Sequence, residues 1–574
     1  MIIQSSVNSC QSTVRRFVSV IRICLISFVL LAASVLNAQQ TILSTTEDAT
    51  LLEYYVNGQT EVVVQDKSKP ATVEAVSFHS AIHPYVNTDF RRYYQCSESD
   101  SVHISYDLKV SKTAGRFTNS VIFSKRDTDH RDDNLPNSAF GVQPIYDLQA
   151  GYDLKSSAVM LNTTGGVRIG GDIKQKFGYD FRLASGIVTL PNYQDSIART
   201  NMIVPGWGDR AYMLDSNRYG FQHLSGNVIW RPNSAFNFQV GRDKHFWGDG
   251  HRSLFLSDVG PAFPYAKLQT TIWKLQYTSV FAWLQDWTMS TGSKNDFRNK
   301  FASLHYISFN AAKWLNIGVF EGVVWQGADS TRSRGFDPNY LNPVIFFRPV
   351  EYSLGSSDNA MLGFSVKIRF NRNNVFYSQI ILDEFFLKEI RNWSAGWWAN
   401  KQGVQLGYKC YNFAMVENLL MQTEVNVVRP YTYSHGSPQQ SYSNAGMPLA
   451  HPMGANFMEV FGKLAYYHNG FAVSGKLVGM RYGRDTTGTN YGQNVFVSYM
   501  TRENDYGNKL FQGFATNVFL AELNAAYTFN TKFPLRISLT AIARSERTGN
   551  LRSIKSSFVM AGFSLPLWRT HADY

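Results

Sequence analysis

Three stretches of this 574-residue chain gather side chains able to do chemistry. The densest runs Val240-Gly-Arg-Asp-Lys-His-Phe-Trp-Gly-Asp-Gly-His251 and continues as Ser253-Leu-Phe-Leu-Ser-Asp258. An indole beside cations and a carboxylate suits a sugar ring, offering a flat apolar face for its C–H groups and charged partners for its hydroxyls. On this reading Trp247 stacks on a sugar while Arg242, Lys244 and Asp249 hydrogen-bond it, at a rim where Asp249-Gly250 turns the chain sharply. The alternative is structural, with the charges paired across an interior and Trp247 packed beneath the turn. His245, Asp249 and His251 match no zinc spacing, so no metal site is expected.

The second stretch, Asn339-Tyr-Leu-Asn-Pro-Val-Ile-Phe-Phe-Arg348-Pro-Val-Glu351, continues to Asp358 and Asn359. Pro343 and Pro349 interrupt strand pairing and predict an inward-folded constriction. Arg348, Glu351 and Asp358 form either an ion-pair lattice or a polar ligand site, and the lattice is favoured because enclosed charges must be compensated. In the third stretch Asp383 and Glu384 are adjacent; on a strand they point to opposite faces and cannot serve one substrate as acid and base. With no Gly-x-Ser-x-Gly elbow, phosphate loop or dinucleotide fingerprint, the expectation is a non-enzyme without a cofactor.

The elements that must position these groups read as β-strands. Val167, Ile169 and Ile173 alternate with Arg168, Asp172 and Lys174; after a turn near Gln175-Lys176, Phe177, Tyr179, Phe181 and Leu183 alternate with Asp180 and Arg182. The pattern returns from Phe519 to Phe529 and from Phe533 to Ala543. Runs of about ten residues are longer than sandwich strands and suit a bilayer, with apolar side chains toward lipid and polar ones inward. A membrane leaves no open strand edge unpaired, so the sheet must close. The predicted fold is all-β, a transmembrane antiparallel β-barrel of roughly 18 strands with a short periplasmic N-terminal segment.

Arg15, Arg16 and Arg22 precede an apolar run from Ile23 to Leu36 that closes on Leu36-Asn37-Ala38, the pattern of a secretory leader. The predicted organisation is a signal peptide over 1–38, a periplasmic segment or plug over 39–100 and a barrel over 101–574, placed in an outer membrane. Polar stretches at 125–143, 326–340, 431–455 and 484–508 read as extracellular loops. Cys10 and Cys24 fall in the leader, which leaves Cys96 and Cys410 and excludes a disulfide scaffold. The formal charge of +12 is scattered, and it favours anionic partners such as acidic polysaccharide or lipopolysaccharide phosphate over nucleic acid. The oligomeric state is left open.

The strings Gly241-Arg-Asp-Lys-His-Phe-Trp-Gly-Asp-Gly250, Tyr340-Leu-Asn-Pro343 with Arg348-Pro-Val-Glu-Tyr352, and Gly396-Trp-Trp-Ala-Asn400 resemble the Wzi-like capsule-assembly family of outer-membrane barrels. They look most like its Bacteroidetes branch of RemB-like gliding motility proteins, over the span from Phe78 to Asn456. The resemblance implies an eighteen-stranded barrel with a periplasmic helical part. It further implies a role in attaching capsular polysaccharide to the surface, or in gliding and adhesion. The helical part finds no support in residues 39–95, which lack helical periodicity. A passive porin or transporter is the rival expectation.

Overall fold

The computed structural model describes residues 61–64, 71–74, 79, 81–83 and 138–573, apart from 174–175, 234, 288–296, 329–334, 336, 342–357, 372, 385–386, 469, 487, 530–534, 551 and 566–572. The leader, the stretch 101–137 and both Arg348 and Glu351 therefore lie outside the described residues.

Eighteen long strands, each antiparallel to its neighbours, close into a barrel. In chain order they are β1 (Ser138–Asp153), β2 (Ala158–Ile173), β3 (Phe177–Thr189), β4 (Arg218–Trp230), β5 (Phe236–Asp243) and β6 (Phe263–Ile272). Next come β7 (Leu275–Asp286), β8 (Arg298–Ala312), β9 (Leu315–Gln326), β10 (Asn359–Arg369), β11 (Asn374–Leu382) and β12 (Gln402–Tyr411). The wall is completed by β13 (Leu419–Val428), β14 (Phe457–His468), β15 (Phe471–Arg484), β16 (Phe514–Thr528), β17 (Arg536–Thr548) and β18 (Arg552–Ser564). β18 closes the ring by pairing with β1, from Phe558 opposite Asp153 to Ser564 opposite Asp147. A four-residue strand, Tyr212–Asp215, rides on β4 beyond the end of β5.

The predicted hairpin is β2–β3, and the two late runs are β16 and β17. The alternation has the expected sense: Leu523, Val240 and Val159 are 67%, 62% and 72% exposed on the outer wall, while Arg168, Asp180 and Arg182 are buried inside. An apolar exterior of this extent would aggregate in water and is what a bilayer covers. At the end with the short turns, Phe177, Trp230 and Phe238 stack across β3, β4 and β5 with centroids 6.3 and 5.3 Å apart, like an interfacial aromatic girdle. The opposite end carries the long connections, among them 190–217, 244–262, 383–401, 429–456 and 485–513.

Several of those connections do not stay outside, and two of them fill the lumen. Segment 244–262 folds into the lumen, where Trp247, Leu254, Phe255 and Leu256 are fully buried and Phe255 stacks on Phe320 of β9 at 4.8 Å. Segment 429–456 covers it: the Tyr433 hydroxyl donates to the Leu254 carbonyl (2.9 Å) and the Tyr442 hydroxyl to the Phe255 carbonyl (2.7 Å). The stretch 431–455, read as a loop, is a connection between strands as expected, but nearly all of it is buried. The sequence-stretch 125–143 also runs into structure, with β1 beginning at Ser138. From the N-terminal part, Ile82 and His83 pair with Trp247 and Phe246 inside the barrel, and His79 Nδ1 lies 2.8 Å from the Ser308 hydroxyl of β8.

An irregular segment in an enclosed lumen needs partners for its backbone. The inward polar residues of the wall supply them. Gln379 of β11 accepts from the Leu254 amide (2.8 Å) and donates to the Trp247 carbonyl (3.0 Å). Gln405 of β12 donates to the Arg252 carbonyl (2.9 Å), and Glu424 of β13 accepts from the His251 and Arg252 amides at 2.8 and 3.1 Å. Charge is compensated at the same level: Arg252 lies 3.4 Å from Glu459 of β14 and 3.0 Å from Asp573.

Candidate functional site

The described residues among those proposed from sequence do not converge on one site. Arg242 shares the outer face of β5 with Val240 and Phe238, and its Nε donates to the Leu224 carbonyl (3.1 Å) on the neighbouring strand. Lys244 donates to the Trp207 carbonyl. Trp247 is 0% exposed, set among Tyr306 and Phe320 at 6.0 and 6.1 Å between centroids, so it offers no face to a solute. Asp249 pairs with Lys367 of β10 at 3.2 Å. Asp358 accepts from the Tyr340 hydroxyl (2.7 Å) and from Gln440 (3.1 Å), tying two connections together. The structural alternative therefore describes Trp247, and the rim reading is corrected there: the turn at Asp249 lies inside the barrel rather than at its mouth.

The mouth has its own aromatic group, built from three connections. Residues 395–398 and 505–508 run side by side: the Gly507 amide donates to the Ala395 carbonyl (2.8 Å), Asn508 to Gly396 (2.9 Å) and Trp398 to Asp505 (2.9 Å). Gly396 sits at φ +62, and a Cβ there would stand 2.7 Å from the Asn508 carbonyl, so the approach of the two segments requires glycine. That pairing presents Trp397 and Trp398, half-buried, at the barrel mouth. Trp398 packs against Tyr499 at 4.7 Å and edge-on to Tyr431 at 6.4 Å, with the Arg502 guanidinium 4.2 Å over its ring. Tyr506 and Met500 flank the group at 53% and 67% exposure.

Beneath it sits a charged tie. β11 ends at Leu382, which frees both following carboxylates to turn to one cation: Lys401 lies 3.0 Å from Asp383 and 3.1 Å from Glu384. The opposite-face expectation for Asp383 and Glu384 is corrected by that strand ending. Lys401 also donates to the Ser434 carbonyl (2.9 Å) and stands 4.8 Å over the Tyr499 ring. Burial alone would lower the Lys401 ammonium, but Asp383 and Glu384 hold it above its usual value. His435, edge-on to Tyr499 at 5.7 Å, is pushed down to about 4 by burial and then by Lys401.

Chemically, this is a partly exposed aromatic platform edged by Arg502, Glu384 and Asp505, able to stack on a sugar ring and hydrogen-bond its hydroxyls. Nothing in it pairs a nucleophile with a base. Among the described residues no cluster of His, Cys, Asp and Glu could hold a metal ion. Adjacent tryptophans after a glycine, in Gly396-Trp-Trp, are the sequence signal for the platform; Tyr499 and Arg502, a hundred residues away, carry none.

No family model and no curated protein matches the chain. Among solved structures it is similar to Wzi, an outer-membrane protein involved in group 1 capsule assembly in Escherichia coli, described as a carbohydrate-binding β-barrel. That likeness has 12% identity and a TM-score of 0.54, over 92% of this chain and 100% of that one. Similarity to OpdL of Pseudomonas aeruginosa has 10% identity and a TM-score of 0.40 over 76% of this chain and 100% of that one, too distant to carry an argument. At 12% identity the Wzi likeness speaks for the fold, a closed antiparallel barrel of eighteen strands.

Proposed function

We propose that this chain is exported behind a cleaved leader to an outer membrane and there binds surface polysaccharide at the loop end of its barrel. The binding serves attachment or assembly of a capsule, or gliding and adhesion. The observation that carries the reading is a lumen packed by its own chain beneath an aromatic, charge-edged mouth. The site for a large ligand is then the mouth, not the channel. The shared fold with a carbohydrate-binding barrel of capsule assembly supports it. Arg348 and Glu351, which lie outside the described residues, remain candidate ligand contacts, whereas Lys244 and Asp249 serve the interior.

Isolated surface polysaccharide titrated onto the purified barrel tests the proposal. Trp398→Ala should weaken binding roughly five- to tenfold, the loss expected for one aromatic anchor of about 1 kcal/mol or slightly more. Wild type that binds no glycan ends the lectin reading. Equal binding by wild type and Trp398→Ala moves the site elsewhere. Deletion of the gene, scored for both capsule retention and spreading, separates attachment from gliding. The passive-channel rival predicts steady conductance in a planar bilayer, which a packed lumen opposes.

A further inference from the structure

Register sorts the outward side chains of β15–β18 into rows. Starting from the loop end, Arg481, Asn517, Arg547 and Ser553 share one row, and Lys555 belongs to the next, opposite Ser545 and two strands from Phe519. Below them the rows are almost wholly apolar, passing Leu477, Leu523 and Leu539 to an aromatic row that includes Phe471 and Phe563. From Gly479 to Phe471 that is about 26 Å along the strand, or roughly 20 Å along the axis at a tilt of about 40°. The three cations stand at one edge of a band close to the thickness of a barrel's apolar belt.

Cations on the two faces of these strands are treated differently. On the lumen side, Arg484 and Arg544 both pair with Glu546, at 3.9 and 2.9 Å. On the outer side, Arg481, Arg547 and Lys555 are exposed, and among the described residues none has a carboxylate partner. Arg481 lies 4.9 Å over the Phe511 ring, while Arg547 donates to the Gly549 carbonyl (3.1 Å) and to Asn550 (3.4 Å). Arg481 and Arg547 are two strands apart, so their backbones are about 9.5 Å apart. Unpaired positive charge above a lipid-facing surface complements headgroup phosphate.

We propose that this face of the wall binds the phosphates of a lipid in the leaflet at the loop end, its acyl chains lying on the apolar rows beneath. The inference rests on the barrel spanning a membrane. The test is native mass spectrometry of the full chain in detergent, titrated with diphosphorylated lipid A, with the same lipid stripped of phosphate, and with inorganic phosphate. Arg481→Gln, Arg547→Gln and Lys555→Gln are combined, and Asn517→Ala, on the same row, is the control. At roughly fivefold per charge, the triple variant should lose on the order of a hundredfold in affinity for diphosphorylated lipid A, with the control unchanged. A heat-dependent gel shift verifies that each variant is folded. Wild-type affinity in the folded triple variant overturns the proposal, as does equally tight binding of the phosphate-free lipid or of inorganic phosphate alone. Failure of the wild type to insert into phospholipid vesicles overturns the membrane reading as well, and so is distinguishable from failure of the lipid site alone.

Discussion

Arg252→Met removes the cation that pins the inward segment 244–262. Its Nη2 is 3.4 Å from Glu459 and 3.0 Å from Asp573, and all three side chains are essentially inaccessible. At an effective dielectric constant of about 20, each contact represents about 5 kcal/mol of gross attraction. Desolvating the guanidinium offsets several kcal/mol of that. What the substitution exposes is therefore the cost of leaving buried carboxylates without their cation, about 3–5 kcal/mol. Part of that compensation remains: His451 is 2.8 Å from Glu459, and Lys476 and His251 are 3.1 and 3.0 Å from Asp573. Adding Glu459→Gln removes one orphaned charge and should recover roughly half of the loss. The assays are urea unfolding in lipid vesicles, followed by tryptophan fluorescence, and conductance across a planar bilayer, which should rise as the segment loosens. A wild-type unfolding midpoint with a closed lumen in Arg252→Met, or a double variant less stable than the single, would refute the argument that this network holds the segment in place.

Gly363 of β10 faces the lumen, and a Cβ there would stand 2.4 Å from the Phe255 ring; Gly363→Ala should cost about 1–3 kcal/mol by overpacking, read as a lower urea midpoint, while outward Gly462→Ala, with nothing within 4 Å, should cost less. His435 has its pKa lowered from 6.5 to about 4, so its contribution is complete above pH 6.5 and lost as pH falls toward 4, where the protonated ring would face Lys401. Stability should therefore decline by up to about 3 kcal/mol over that window, and His435→Gln should flatten the decline in a pH series of unfolding curves.

Period two makes the wall legible in the sequence. A one-residue error in register would turn every apolar side chain inward, so the pattern of β2, β3, β16 and β17 leaves little choice of face or of fold class. The same rule could have removed Arg242 from the candidate site, since it alternates in step with Val240 and Phe238 on the outside. Segment 429–456 was not legible. Its Ser, Asn, Gly and Pro are the residues of a solvated loop and equally those of an irregular segment whose backbone is bonded by a surrounding wall.

The sequence alone determined that the chain alternates between an apolar and a polar face and that its ends must meet in a closed barrel. Only the tertiary structure decided what the polar face is for. Gln379, Gln405 and Glu424 bond the backbone of a segment more than a hundred residues away, and Trp247 is enclosed while Trp397 and Trp398 reach the mouth. The physical reason is that alternation is a local property of one strand, whereas the partner of an inward polar group is set by which distant segment fills the lumen.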